Sequence, residues 1–290
     1  MYVRTGGATV IQNNLIGRNL GGQALPNQIG VLVAEGMTSL TGNQIANDTT
    51  QGVTITTNDS VLISKGGIYD NGDSMARDGI RYTGVPAPLP PPNGLVIFRS
   101  AIAKPNGKHT VYIGLRRRSG GGSRILEIFS NPQAEEDEPQ GKTFLFQKTI
   151  DTSKPYTDEL EFDSSAAFMT AKSFTATLTN INATSEFSTI HGGRLIIPAS
   201  IDFLEANPGP NSVGFIMGPS ELFSLREAPT LHGPWERTTN GQKQTVMVDD
   251  PGLDSPIALE LWTVPINPQD EEKFWRAELD WEKVLGEPVD

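Results

Sequence analysis

The sequence predicts an all-β protein: parallel β-helix coils over residues 1–85, a linker over 86–94, and two further β modules over 95–190 and 191–290. Three observations carry this reading. An Asn/Gly-rich apolar ladder recurs through the first segment, a proline-rich run interrupts it, and alternating apolar stretches separated by turn-rich loops follow.

The ladder comes first. Val10-Ile11-Gln12-Asn13-Asn14-Leu15-Ile16-Gly17 is echoed by Leu40-Thr41-Gly42-Asn43-Gln44-Ile45-Ala46-Asn47. A third echo is Ile63-Ser64-Lys65-Gly66-Gly67-Ile68-Tyr69-Asp70-Asn71. Between them lie the strand starts Gly30-Val31-Leu32-Val33, Gly52-Val53-Thr54-Ile55 and Gly79-Ile80-Arg81-Tyr82. An apolar pair, a polar turn and a second apolar pair, repeated at the length of one solenoid coil, describe a parallel β-helix. Asn13, Asn43 and Asn47 fall where such a coil turns sharply. Asn tolerates left-handed backbone, and stacked amides bond from coil to coil.

Val85-Pro86-Ala87-Pro88-Leu89-Pro90-Pro91-Pro92-Asn93-Gly94 ends the ladder, because proline has no N–H to give to a strand pair. It reads as a semi-rigid polyproline hinge. Beyond it, Leu95–Phe98, His109–Leu115, Arg124–Phe129, Thr143–Phe146, Glu159–Phe162 and Ser173–Leu178 read as strands of an antiparallel sandwich. The last module repeats the style in Arg194–Ile197, Ser212–Met217, Gln244–Val248 and Ala258–Trp262. Lys273–Leu279 fits a strand or a short amphipathic helix, and periodicity leaves both open.

These residues carry a resemblance. Val10–Asn19 is similar to the coil motif of large bacterial secreted right-handed parallel β-helix repeat proteins. Pro92–Ser188 resembles the module that follows the helix in those proteins. Ile125-Leu126-Glu127-Ile128-Phe129-Ser130-Asn131 matches that module's I-E-F-F-A-N strand, and Gly141-Lys142-Thr143-Phe144-Leu145-Phe146 its G-x-T-F-L-G segment. Thr175–Ser188, ending Thr184-Ser185-Glu186-Phe187-Ser188, matches its closing T-S-E-F-S stretch. The resemblance implies a right-handed helix, an Ig-like fold for the second module and an extracellular or cell-surface location. It implies no single activity. The family's Cys-Asp pair after F-A-N is missing from Asn131-Pro132-Gln133-Ala134, and Glu135-Glu136-Asp137-Glu138 replaces a glycine-rich run. Gly233-Pro234-Trp235 and Phe274-Trp275-Arg276 bear a looser likeness to C-terminal β modules of secreted bacterial proteins.

Composition narrows the classes. A formal charge of −11 sets the chain against nucleic acid or an anionic membrane as partner. With no cysteine, disulfides, thiolate metal sites and Cys nucleophiles are excluded. A hydrophobic content of 37% suits a solenoid, in which each short strand turns one side inward. No stretch approaches the length of a membrane span, so membrane insertion is not expected. The start, Met1-Tyr2-Val3-Arg4-Thr5-Gly6-Gly7, does not read as a signal peptide. The ladder begins at once without a capping element, which reads as the C-terminal portion of a longer protein or a shortened reading frame.

Two function classes remain. The favoured one is a non-catalytic secreted or cell-surface scaffold of adhesion type, binding polysaccharide or a cell-envelope glycan. The alternative is a carbohydrate-active enzyme, a polysaccharide lyase or glycoside hydrolase, with its site on the helix. The enzyme reading rests on Asp70, Asp73, Asp78 and Arg77, with Arg81 near; the coils also offer Asp48, Asp59 and Lys65. No catalytic set recurs on successive coils, and turn-capping is the commoner role of such residues. Trp235 and Trp281 are the candidate sugar-stacking residues, while Trp262 and Trp275 read as core. Arg116-Arg117-Arg118 is a basic knot suited to an acidic glycan, or simply a soluble turn. No cofactor is expected. Calcium is the one candidate ion, drawn to Glu135–Glu138, although a single acidic run lacks alternating ligand geometry. His109, His191 and His232 show no metal-ligand spacing. Oligomeric state is left open.

Overall fold

The computed structural model describes residues 1–72, 79–92, 94–100, 103–104, 106–118, 121–132, 139–189, 194–200, 212–218, 222–230, 234–248, 257–265 and 274–286. The protein is all-β, with parallel sheets in its first part and antiparallel sheets thereafter. One compact unit holds Met1–Phe98 and Val111–Arg194; a second holds Arg99–Thr110 and Leu195–Asp290.

Successive stretches of chain deal strands in rotation to three parallel sheets. The first comprises β1 (Tyr2–Arg4), β4 (Ile29–Glu35), β7 (Gln51–Ile55) and β10 (Ile80–Tyr82). The second comprises β2 (Thr9–Gln12), β5 (Thr38–Thr41) and β8 (Val61–Ser64). The third comprises β3 (Leu15–Ile16), β6 (Gln44–Ala46) and β9 (Gly67–Tyr69). Registers align aliphatic side chains into columns that share one core: Val3, Val33 and Ile55; Ile11, Leu40 and Ile63; Ile16, Ile45 and Ile68. Each such burial contributes roughly 1.5–3 kcal/mol.

Aligning the first two echoes at their starts would set Val10 beside Leu40. The structure pairs Ile11 with Leu40 and leaves Val10 66% exposed. A one-residue slip in a strand moves every side chain to the other face, so burial decides the register. At the turns, Asn13, Gly42 and Lys65 occupy equivalent places with φ of 55°, 65° and 53°. Asn47 is also left-handed, at 62°. Asn43 is not; it is buried, its Oδ1 accepting from the Asn14 N–H at 3.0 Å and its Nδ2 donating to Ile11 O at 2.8 Å.

The antiparallel strands that follow make two three-stranded arrangements around one core. β11 (Leu95–Ser100), β12 (Lys108–Leu115) and β15 (Tyr156–Asp163) run side by side in the order β15-β12-β11. β13 (Ser123–Asn131) lies between β14 (Thr143–Asp151) and β16 (Ser173–Thr179). Their inner faces meet through Leu95, Val111, Ile113, Leu126, Ile128 and Leu178, with Phe168 of the short α1 (Ala167–Thr170) stacked on Phe174. The proline-rich segment is pinned, since Arg118 Nη1 donates to Pro90 O at 2.7 Å and Pro91 O at 2.8 Å.

In the second unit, β17 (Arg194–Ser200), β18 (Ser212–Gly218), β21 (Gln242–Val248) and β22 (Ile257–Pro265) pair in the order β17-β18-β22-β21. Trp262 is buried as expected, with the Lys243 ammonium 4.1 Å from its ring centroid. β19 (Phe223–Ala228) lies between β20 (Glu236–Arg237) and β23 (Phe274–Leu279), so the segment that fitted strand or helix is a strand. The partner decides: β19 offers an edge that pairs all six residues, from Phe223 opposite Leu279 to Ala228 opposite Phe274. The helix follows at once as α2 (Trp281–Leu285), capped by Asp280 and stopped by Gly286 at φ 69°.

The register makes a direct prediction. Leu40→Ala is expected to lower unfolding free energy by about 2–5 kcal/mol in urea titrations, while Val10→Ala stays within about 0.5 kcal/mol. Equal losses would mean that the register is wrong.

Candidate functional site

A stack of parallel strands leaves one row of unpaired backbone groups at its end for each sheet. Here each row meets a segment of the antiparallel part. At β8, the Val61 N–H donates to Asn182 O at 3.1 Å and the Thr184 N–H to Val61 O at 3.0 Å. Thr184 Oγ1 accepts from the Ile63 N–H at 2.8 Å and lies 3.2 Å from Ile63 O. At β9, Ile68 and Gly141 exchange backbone bonds of 2.7 and 2.8 Å. At β10, the Tyr82 N–H donates to Glu186 Oε1 at 3.1 Å and the Tyr82 hydroxyl to Thr184 O at 2.7 Å. Burial and the Glu186 charge raise the Tyr82 pKa above its ordinary value.

The turn between the third and first sheets is closed in the same way. The Asn27 N–H donates to Asp48 Oδ1 at 3.1 Å, the Asp48 N–H to Asn71 Oδ1 at 3.1 Å, and the Asn71 N–H to Gln140 Oε1 at 3.0 Å. Gln140 Nε2 returns a bond to Asn71 O at 2.9 Å. Gln140 therefore stands where a further coil would supply its own amide. Asn131 holds this segment, donating to Gln140 O and accepting from the Lys142 N–H, both at 3.0 Å. Burial pushes the Asp48 carboxyl up, against the two bonds from Asn27.

The T-S-E-F-S segment resolves residue by residue. Thr184 closes β8 and Glu186 closes β10. The hydroxyls of Ser185 and Ser188 accept from the Leu178 and Ala176 N–H groups of β16, at 2.9 and 3.0 Å. Phe187 enters the stack's core, edge-on to Phe129 at 5.4 Å. A Cβ at Gly79 or Gly141 would lie 2.7 Å from its ring, so both positions are glycine for space.

Beside this closure lies a groove of about 600 Å3 between the second sheet and the β13–β14 pair. Ser39, Thr41 and Ser64 line it with hydroxyls spaced at 3.4 and 3.3 Å. Lys65, Arg124 and Gln147 line it too. Glu127 is its one carboxylate among the described lining residues, and only 1% exposed. Its Oε2 accepts from the Lys65 N–H at 3.3 Å, and its Oε1 is buried without a hydrogen-bond partner. Burial pushes the Glu127 pKa up to about 7, outweighing the opposing pull of the Lys65 amide bond and charge.

Of the candidates read from the sequence, some fall among the described residues and some outside them. Asp70 sits in a left-handed turn at φ 52°, exposed, with Lys142 Nζ 3.5 Å from its carboxylate. Asp73, Arg77 and Asp78 lie outside the described residues, as do Glu135–Glu138, His191 and His232. Trp235 precedes β20 and Trp281 opens α2, both half-buried in the second unit. The described residues do not include the Trp275 side chain. His109 Nδ1 lies 2.8 Å from Ser100 O. Among the described residues, no group of three or more His, Asp or Glu side chains is gathered as a metal site. Glu127, Gln140, Thr184 and Phe187 went unread as functional. Three of them stand in the segments that carry the resemblance, where their pattern was legible but their contacts were not.

Neither the protein-family models nor the curated proteins yield a match to this chain.

Phe187→Ala is expected to cost about 3–5 kcal/mol and to be read as a lowered urea midpoint. Glu127 gives a pH signature. Below pH 4.5 its carboxyl is protonated folded and unfolded alike. Between 4.5 and about 7 the unfolded chain releases the proton while the folded one keeps it, so stability falls as pH rises, by on the order of 3 kcal/mol, and levels above 7. In Glu127→Gln, urea titrations across this window are expected to lose that slope; an unchanged slope would assign it to other groups.

Proposed function

We propose that this protein is a non-catalytic, secreted or cell-surface scaffold of adhesion type that binds a polysaccharide or cell-envelope glycan. In this reading the three-sheet stack is a right-handed parallel β-helix and the antiparallel part that closes it is an Ig-like sandwich. The protein thus stands with the bacterial β-helix repeat proteins that its sequence resembles. One observation carries the reading: the three stretches of the resemblance, Ile125–Asn131, Gly141–Phe146 and Thr175–Ser188, contain residues that seal the stack. The module's motif is then a capping device, and the capped stack a rigid support with its flank free to bind.

Hydrolysis of a glycosidic bond asks for two carboxyl groups facing each other across it. Glu127 has no second carboxylate among the described residues lining the groove, and Asp70 is paired with Lys142. The described groove residues offer hydroxyls and cations, groups suited to holding a glycan.

The test incubates the protein with acidic and neutral polysaccharides, with and without calcium, following retention in affinity gels and chain length. Retention without shortening is expected, unchanged in Asp70→Asn. Shortening of any glycan would overturn the proposal in favour of a lyase or hydrolase, and its loss in Asp70→Asn would place the chemistry at that turn.

A further inference from the structure

We propose that the groove beside Glu127 binds an acidic oligosaccharide, its hydroxyls meeting Ser39, Thr41 and Ser64 and its carboxylates meeting Lys65 and Arg124. This rests on the glycan-binding reading above and names the ligand class and the place.

The volume, about 600 Å3, falls within the roughly 300–1,000 Å3 typical of small-ligand sites. A serine or threonine hydroxyl donates or accepts as required, which suits a ligand whose own hydroxyls do both. Leu62, Ile125 and the 87%-exposed Ile181 supply apolar surface for the C–H face of a sugar ring. Charge selects the class. In a chain of net charge −11, two cations border a groove whose one described carboxylate is buried and held protonated up to about pH 7. Arg118 adds a third positive charge close to Arg124, near enough that Arg124 depresses its pKa after burial does. An acidic glycan entering here leaves the general repulsion of the surface for a local field of opposite sign.

A second observation points to a ligand independently of charge. Glu127 Oε1 is buried among the lining residues without a partner. A buried polar atom in that state is destabilising until something bonds it. A ligand hydroxyl seated over the groove floor supplies that bond.

The experiment titrates oligogalacturonate, and the same oligomer with its carboxylates methyl-esterified, into the full chain by calorimetry. The acid is expected to bind about tenfold more tightly than the ester, with the advantage shrinking as salt rises. Arg124→Gln and Lys65→Asn are each expected to weaken acid binding about fivefold or more and to leave ester binding alone. Asn is chosen at position 65 because it accepts the left-handed backbone there. Thermal melts that match those of the parent protein serve as the control that both variants fold. Equal affinity for acid and ester would overturn the acidic class while leaving glycan binding intact. Acid binding that ignores both substitutions would overturn the groove as its place. No binding of these oligomers, or of any neutral glycan in the retention assay, would overturn both proposals together.

Discussion

The last turn of the parallel stack presents open strand edges on three sides, and the fold depends on closing all three. A parallel stack transfers each rung's hydrogen-bonding need to the next rung, so the need persists until something other than another rung meets it. Here it is met by Ala183-Thr184, Gly141 and Glu186, with Gln140 completing the amide ladder at the turn. These segments lie far along the chain: Ile63 and Thr184 are 121 residues apart. The antiparallel part must therefore be folded for the stack to be complete, which explains why the two belong to one compact unit.

Apolar packing follows the same route. The aliphatic columns run to the third coil and then give way to Phe129 and Phe187, which belong to the stack's core although they come from the antiparallel part. Two aromatic rings meeting edge-on cover a cross-section that three short strands had lined with Val, Leu and Ile. The polar closure around them is less complete. Glu127 Oε1 and Asp48 Oδ2 are both buried without partners, so the junction carries carboxyl groups whose neutral forms it favours.

Much of the stack was legible because its signals are local. Paired apolar residues, Gly at strand starts and Asn at left-handed turns are each set by a few neighbouring residues, and Asn13 and Asn47 turned as expected. The register was legible only through burial, since Val10 and Ile11 are equally good strand formers. β19 and α2 were missed: Phe223–Ala228 becomes a strand because β20 and β23 pair with it, and five residues of helix carry too little periodicity to read. The groove beside Glu127 was not legible in the sequence, for a related reason. Charged residues on coil turns draw the eye as chemistry, whereas Glu127 sits inside an apolar strand as an apparent interruption. Its meaning comes from Lys65, 62 residues earlier.

Gly79, Gly141 and Phe187 come from three distant parts of the chain, yet they divide one volume among them. A side chain at either glycine would need the space that the ring now fills, and a smaller residue at 187 would leave a hole that neither glycine can fill. Variation at these positions is thus coupled by geometry. A side chain at Gly79 requires a smaller residue at 187, and one at Gly141 requires Phe129 to give way as well.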